Sequence, residues 1–228
     1  MPSIHSFWRR KCLFLSSWLL FNRPHRDAAL ASVLYLRDVV NGDQHTLPLI
    51  QHLLRDPRVR PLRCVELGTG CGLVGIALSR LLSSCSVVLT DLPEVEDIVL
   101  HNMATAAEDD GTGPSSKTKF RVLDWDDEHL PEDICSQPID LILVSDCTYN
   151  NLEGVVSVMA KLVRHSPEAV ILLAAKRRHE SEAALFDLLR SAVLEKLHQS
   201  FVRLPSQHGN QDTIELYIYG QKGRYQPA

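Results

Sequence analysis

Short apolar runs alternate with longer amphipathic stretches along most of the chain after residue 60. The runs are rich in Val, Ile and Leu, as is typical of strands buried on both faces of a sheet. They predict strands at 63–68, 86–91, 119–125, 139–146 and 169–175. Because helical stretches separate these strands, the sequence predicts a Rossmann-like, doubly wound α/β fold with a mostly parallel sheet. Right-handed crossovers then place the carboxyl ends of the parallel strands at one edge.

The amphipathic stretches have the 3.6-residue period of helices. They predict helices at 26–41, 45–57, 71–84, 94–107, 152–166 and 180–197. Two further strands, at 197–205 and 212–221, are separated by turn residues only, which predicts a C-terminal antiparallel hairpin and a seven-stranded sheet. Residues 106–119 are rich in Gly, Ser, Thr and charge and are predicted to form a flexible loop.

The bulk composition excludes some classes of function. The chain has 228 residues and a formal net charge of -4, which argues against binding through the phosphate backbone of nucleic acids. The ten histidines include no HExxH motif and no cluster with cysteine, so no metal site is predicted. The six cysteines include no CxxC pair, which favours free thiols in a reducing compartment. We expect a monomeric protein of the cytoplasm and also the nucleus, without stable membrane association.

The first 25 residues differ from the remainder of the chain. Arg9, Arg10 and Lys11 precede a ten-residue apolar run at 12–21, which is the order found in a secretory signal. The run is too short to cross a bilayer as a helix, and no small-residue cleavage site follows it. The alternatives are an apolar flap and an atypical gene start. We predict one folded domain at 26–228, preceded by an atypical segment at 1–25.

Four glycines lie between the first predicted strand and the next helix, in CVELGTGCGLVGIAL at 64–78. Such glycines let backbone amides approach a ligand at a helix N-terminus. Their spacing departs from the dinucleotide fingerprint GxGxxG, because position 73 is leucine. The turn is predicted to bind a ligand, and a tight turn without one is the alternative; Gly75 is predicted to permit close packing of helix on sheet. The candidate ligand-binding residues are Glu66, Gly68, Thr69, Gly70 and Gly72.

Acidic and aromatic residues follow the second and third predicted strands. Asp91 ends the second strand about 20 residues after the glycine turn, where a carboxylate can accept hydrogen bonds from ribose hydroxyls. A cap for the helix that begins near Pro93 is the alternative role of Asp91. Asp124 and Trp125 end the third strand and could bind an adenine ring by edge contact and stacking.

The segment LILVSDCTYNN places Asp146 where the fourth strand ends, at the point where α/β sheets bind ligands. Tyr149 follows three residues later. A carboxylate and a phenol ring at this edge can accept a cationic amine and orient it toward an electrophilic carbon. The alternative is that Asp146 is the N-cap of the following helix.

Residues 64–220 resemble seven-stranded S-adenosylmethionine-dependent methyltransferases. VELGTGCG resembles their first motif, and LDW together with DCTY resembles the lysine methyltransferase group called family 16, which carries Asp-x-x-Tyr after strand four. The upstream helix matches at Ala28, Ala29, Tyr35 and Leu36. Arg26 stands where that family has tryptophan near the cofactor, which bears on cofactor affinity and on activity.

The resemblance implies roles for the candidate residues and N-methylation of a protein lysine. Glu66 and the turn with Thr69 would shape the methionine and ribose pocket, Asp91 would hold the ribose, and Asp124 and Trp125 the adenine. Ser145 would line the pocket through its backbone. Asp146 and Tyr149 would face the acceptor amine, and no metal is required.

Two other functions remain open at this point. A small-molecule amine methyltransferase of the same fold is one, since no residue of the site distinguishes its substrate. A catalytically silent protein that binds the cofactor is the other, and it rests on Arg26. Methylation of a nucleic-acid base is disfavoured, because Cys147 and Thr148 replace the two prolines of the Asn/Asp-Pro-Pro-Tyr motif of such enzymes.

Overall fold

A single mixed sheet organises the computed structural model, which describes residues 27–43, 47–56, 59–109, 117–147, 151–176, 182–205 and 211–225. Its strands are β1 (Leu62–Leu67), β2 (Cys85–Asp91), β3 (Thr118–Val122), β4 (Leu141–Ser145), β5 (Val170–Ala175), β6 (Leu194–Pro205) and β7 (Gln211–Gln221). Their spatial order is β3-β2-β1-β4-β5-β7-β6. The first five strands pair in parallel, and β7 pairs antiparallel with both β5 and β6. The predicted fold class is confirmed.

Helices connect the strands and cover both faces of the sheet. They are α1 (Asp27–Asn41), α2 (Pro48–Arg55), α3 (Leu73–Leu81), α4 (Glu96–Asp109), α5 (Leu152–His165) and α6 (Glu182–Ser191), with a 3-10 turn at Pro93–Val95. A first cluster of buried apolar side chains packs the helices α1, α2, α3 and α4 against one face of the sheet. A second cluster packs α5 and α6 against the opposite face. Every residue of β1 is buried, because the central strand is covered on both faces.

The order of the strands reverses between β1 and β4. Leu67 of β1 pairs with Val144 of β4, so the glycine turn that follows β1 and the segment that follows β4 leave the sheet side by side. The carboxyl end of β2 lies on the other side of β1. The fold therefore brings three of the predicted site segments to one edge, which is where open α/β sheets bind ligands.

The structure corrects the predicted boundaries at several places. The strand predicted at 119–125 ends at Val122, so Asp124 and Trp125 follow β3 and do not end it. The helix predicted at 180–197 ends at Ser191, and β6 begins at Leu194, because Leu194, Glu195 and Lys196 pair with β7. The helix predicted at 45–57 begins at Pro48, a residue suited to the first helical turn. The loop predicted at 106–119 is also too long, since α4 continues to Asp109 and β3 begins at Thr118.

Within the described ranges, no helix combines the length and the apolar character that crossing a membrane requires. The unusual N-terminal segment at 1–25 and Arg26 lie outside the described residues.

Candidate active site

The turn after β1 adopts left-handed backbone conformations at all three of its glycines. The φ angles are 61° at Gly68, 56° at Gly70 and 83° at Gly72, values that glycine adopts without the steric cost that a side chain would add. A Cβ at Gly68 would lie 2.6 Å from the Cys147 Sγ atom and 3.0 Å from the Trp125 ring. A Cβ at Gly70 would meet no heavy atom within 4 Å. Gly68 is thus enclosed by protein, and Gly70 faces open space that a ligand can use.

Glu66 stabilises this turn through buried hydrogen bonds. Its side chain is buried, and Oε2 accepts hydrogen bonds from Thr69 Oγ1 at 2.8 Å and from the Gly75 amide at 2.9 Å. Burial raises the pKa of Glu66 to about 7, although both hydrogen bonds act to lower it. A Cβ at Gly75 would lie 2.3 Å from Leu89 and 2.6 Å from the Glu66 carboxylate. The predicted role of Gly75 in close helix–sheet packing is confirmed.

Asp91 connects the end of β2 to the glycine turn. Its Oδ2 atom accepts a hydrogen bond from the Gly70 amide at 2.7 Å, and Oδ1 accepts one from Leu92 at 2.8 Å. The N-cap residue of the 3-10 turn Pro93–Val95 is Leu92, and no side chain caps the turn, so the alternative role of Asp91 as a helix cap is wrong. The carboxylate lies beside Gly70, the glycine of this turn that faces open space.

The aromatic segment after β3 also reaches the turn. The backbone amide of Leu123 donates to the Asp91 carbonyl at 2.9 Å, and the half-buried Trp125 ring lies against Gly68. Asp124 is exposed, and its Oδ1 accepts a hydrogen bond from the Asp126 amide at 3.0 Å. Trp125 is therefore next to the glycine turn, whereas the Asp124 side chain is used in its own loop.

Asp146 is buried and stands directly after β4. Its φ angle is 61°, a left-handed conformation that costs on the order of 1–3 kcal/mol for a residue with a side chain. The α5 helix is capped by Asn151, whose side chain accepts from the Gly154 amide, so the alternative role of Asp146 as that N-cap is wrong. Tyr149 and Thr148 lie outside the described residues, and the role of Tyr149 stays a prediction.

Three carboxylates converge around the buried thiol of Cys147. Burial raises the pKa of Cys147, and the charges of Asp91, Glu66 and Asp146 raise it further. All three carboxylates therefore act at the point where the turns after β1 and β4 meet. The carboxylates of Asp91 and Asp146 beside an open glycine backbone fit a cationic ligand such as a sulfonium or an ammonium group. Glu66 adds to this charge only as pH rises through its pKa of about 7. Among the residues that the structure places, no group of three or more His, Cys, Asp and Glu side chains could hold a metal.

Four residues of this edge were not recognised in the sequence. Asn102 of α4 donates to the Cys71 carbonyl at 2.9 Å and fixes the glycine turn from the side. Ser32 of α1 contacts Ser145 with 2.9 Å between the two hydroxyl oxygens. Asn151 had a readable signal, since asparagine before a helical stretch is a preferred N-cap. The fourth residue is Lys176. No local sequence pattern marks Ser32, Asn102 or Lys176, because each contacts a residue that is far away in the sequence.

A comparison with protein families shows which family the chain belongs to. Residues 26–192 match the model of a family described as lysine methyltransferase. The chain belongs to this lysine methyltransferase family. The predicted family membership is thus confirmed over most of the chain.

Two curated relatives are each 30% identical in sequence to this lysine methyltransferase family member over the aligned residues. A calmodulin-lysine N-methyltransferase of Arabidopsis thaliana is 30% identical over 140 residues, which cover 61% of this chain and 41% of the relative. Secreted RxLR effector protein 48 of Plasmopara viticola is 30% identical over 126 residues, 50% of this chain and 64% of that protein. The chain thus spans less than two thirds of the length of each.

Solved structures confirm the fold of the lysine methyltransferase family member at low sequence identity. Magnesium protoporphyrin IX methyltransferase from Synechocystis PCC 6803 with bound S-adenosylmethionine gives a TM-score of 0.56 at 12% identity, covering 95% of this chain and 91% of that one. Precorrin-6y C5,15-methyltransferase from Geobacter metallireducens GS-15 gives 0.53 at 13% identity, covering 90% and 92%. The chain therefore has the fold of these methyltransferases, and the predicted cofactor, S-adenosylmethionine, is confirmed.

Proposed function

We propose that this protein is an S-adenosylmethionine-dependent methyltransferase that transfers the methyl group to a lysine side chain of a protein. The observation that carries the proposal is the buried carboxylate of Asp146 at the sheet edge, beside the glycine turn and among acidic groups. The family description and the calmodulin-lysine N-methyltransferase of Arabidopsis thaliana support lysine as the acceptor.

Different residues at the carboxyl edge of the sheet would bind different parts of the cofactor. The open side of Gly70 gives access to the backbone of the turn, and Asp91 would accept hydrogen bonds from the ribose hydroxyls. A carboxylate has about four acceptor positions, so the contacts with Gly70 and Leu92 leave capacity for them. Trp125 would stack on the adenine, with Asp124 at its rim. The shape of the turn beneath the ligand is set by Glu66, Thr69, Gly68 and Gly72. Ser145 would line the pocket.

Asp146 would bind and orient the acceptor amine. Lysine has an unperturbed pKa near 10.4 and is protonated at neutral pH, so the site has to favour the neutral form before attack. S-adenosylmethionine supplies, when bound, an electrophilic methyl carbon and a positive charge that disfavours a second cation nearby. Asp146 accepts a hydrogen bond from the amine nitrogen and holds its lone pair in line with that carbon. Tyr149 would complete the amine pocket.

The test has a binding part and an acceptor part. Calorimetry with S-adenosylhomocysteine should show one site, and incubation with methyl-labelled S-adenosylmethionine and a proteome lysate should give a labelled protein band. Mass spectrometry of that band should find methylated lysine, and Asp146→Asn should slow the appearance of the label roughly 10²–10³-fold. Label confined to the small-molecule fraction would contradict the protein substrate, and binding without any label would indicate a catalytically silent protein.

A further inference from the structure

The backbone conformation of Asp146 depends on contacts from outside its own segment. Its φ angle of 61° is one of two left-handed values at non-glycine residues among the described parts of the chain, the other being at Asn151. Such conformations persist where the surrounding structure determines them. The question is therefore which contacts hold the end of β4 in place.

Two hydrogen bonds tie the end of β4 to its neighbours. The amide of Asp146 donates to the Ala174 carbonyl of β5 at 3.1 Å. The hydroxyl of Ser145 contacts the Ser32 hydroxyl of α1 at 2.9 Å, and Ser32 is buried. The residue before the turn is thus held by α1, and the turn itself by β5.

A third contact joins α1 to β5 and closes a ring. Lys176 stands two residues after Ala174, and its Nζ atom donates to Asp27 Oδ2 at 2.7 Å and to Asp212 Oδ2 at 2.8 Å. Asp27 begins α1, five residues before Ser32, which is about 7.5 Å along the helix axis. The three contacts form a closed ring: Lys176 binds the start of α1, Ser32 of α1 contacts Ser145 at the end of β4, and the next residue, Asp146, bonds to β5, which leads to Lys176. Asp212 anchors Lys176 to β7 as well.

The charge of Lys176 suits it to this place. Partial burial acts to lower the pKa of Lys176, but the hydrogen bonds and charges of Asp212 and Asp27 outweigh burial and raise it. The ammonium group therefore stays charged throughout the neutral range. Its side chain is 23% exposed, against 31% for Asp27 and 37% for Asp212, so water only partly screens the bridge.

We propose that Lys176 is a positioning residue for Asp146, acting through α1 and β5 on the orientation of the acceptor amine. The inference rests on the proposed role of Asp146 in binding that amine. An ion pair that served stability alone would change unfolding without changing the binding of an amine at the site. A positioning residue changes the binding of an amine selectively, and this difference can be measured without knowing the protein substrate.

The experiment compares two ligands that differ at the transferred group. Sinefungin carries an amine-bearing carbon in place of the methyl sulfonium, whereas S-adenosylhomocysteine carries an uncharged thioether. The amine of sinefungin stands where the transferred methyl group would be, next to the proposed amine site. The ratio of the two dissociation constants, measured by calorimetry, therefore reports a contact between this amine and Asp146 if Asp146→Asn lowers it, and an unchanged ratio in Asp146→Asn would overturn the inference. We expect Lys176→Met to reduce the preference for sinefungin about tenfold, while the Kd for S-adenosylhomocysteine changes less than about twofold.

Three variants serve as controls. Lys119→Met removes another ion pair of the sheet, to Asp133 at 2.9 Å, and should leave the preference unchanged. Lys176→Arg keeps the charge and both carboxylate partners and should restore most of the preference. Lys176→Met in an Asp146→Asn background should cause no further loss, because both changes remove the same contact.

The outcomes separate the two proposals. If wild-type protein does not bind S-adenosylhomocysteine, the proposed function is overturned, and this inference with it. If Asp146→Asn loses the preference for sinefungin but Lys176→Met retains it, only the positioning role of Lys176 is overturned. Equal losses with Lys119→Met, or additive losses in the double variant, would also overturn it.

Discussion

The turns after β1 and β4 lie side by side and use the same left-handed backbone conformation with different residues. After β1 the positive φ angles fall on Gly68, Gly70 and Gly72, and after β4 they fall on Asp146 and Asn151. Glycine adopts this conformation without steric cost, so the first turn is specified by its own residues. The second turn carries the side chain that the proposed chemistry needs. It is held by contacts with α1 and β5.

The largest expected effect comes from Asp146→Asn. Asparagine tolerates the left-handed region, so the backbone should keep its course while the negative charge is lost. We expect the rate of methyl transfer in single-turnover assays to fall roughly 10²–10³-fold. The Kd for S-adenosylhomocysteine should change little. Equal losses in binding and in transfer would show that Asp146 serves the cofactor and not the acceptor.

The glycine turn can be tested with a matched pair of substitutions. Gly68→Ala adds a methyl group 2.6 Å from the Cys147 Sγ atom, whereas Gly70→Ala adds one in open space at nearly the same φ angle. We expect urea unfolding to show a loss of about 3 kcal/mol for Gly68→Ala, from overpacking and backbone strain together. The loss for Gly70→Ala should be about 1 kcal/mol, from the backbone alone. Equal losses would mean that the enclosure of Gly68 has no energetic role.

Glu66 predicts a specific dependence of stability on pH. Its pKa is about 7 in the folded protein and 4.5 when unperturbed, so between these values the folded state retains a proton that the unfolded chain releases. The contribution of Glu66 to the free energy of unfolding is therefore lost as pH rises from about 4.5 to 7, and the loss is complete above 7. The difference is on the order of 3 kcal/mol, since one pKa unit corresponds to about 1.4 kcal/mol.

Glu66→Gln removes this titration and keeps an acceptor for Thr69 and Gly75. Denaturation at a series of pH values should show the variant close to wild type near pH 4.5 and progressively more stable than wild type toward pH 8. A stability difference that is independent of pH would contradict the raised pKa. Cofactor binding by the variant would show whether the charge of Glu66 is also needed by the ligand.

The smallest expected effect is at Asn151. Its side chain accepts from the Gly154 amide at 3.0 Å and donates to Asp126 Oδ1 at 2.8 Å. Asn151→Ala should reduce the free energy of unfolding by about 1 kcal/mol, because it removes the N-cap of α5. Asn151→Gly suits the φ angle of 44° and should cost less. A larger loss for glycine than for alanine would show that the cap is not set by backbone conformation.

The sequence predicted the fold well because the apolar runs are long and continuous. It predicted the glycine turn after β1 because glycine spacing is a local signal. It misplaced the boundary between α6 and β6, since residues 192–197 have helical periodicity and pairing with β7 overrides it. It did not find Lys176, because Asp27 lies 149 residues away, and such a contact exists only once the sheet has formed.

The hydrogen bonds of Ser32 determine which of the two serines, Ser32 or Ser145, donates in the contact between them. Ser32 has one hydroxyl proton, and it donates that proton to the Ala28 carbonyl at 2.9 Å. Ser145 therefore supplies the proton of the contact between the two hydroxyls. Its oxygen has only lone pairs left for any further partner. Any further group that contacts the Ser145 hydroxyl, next to Asp146, therefore has to donate the hydrogen bond.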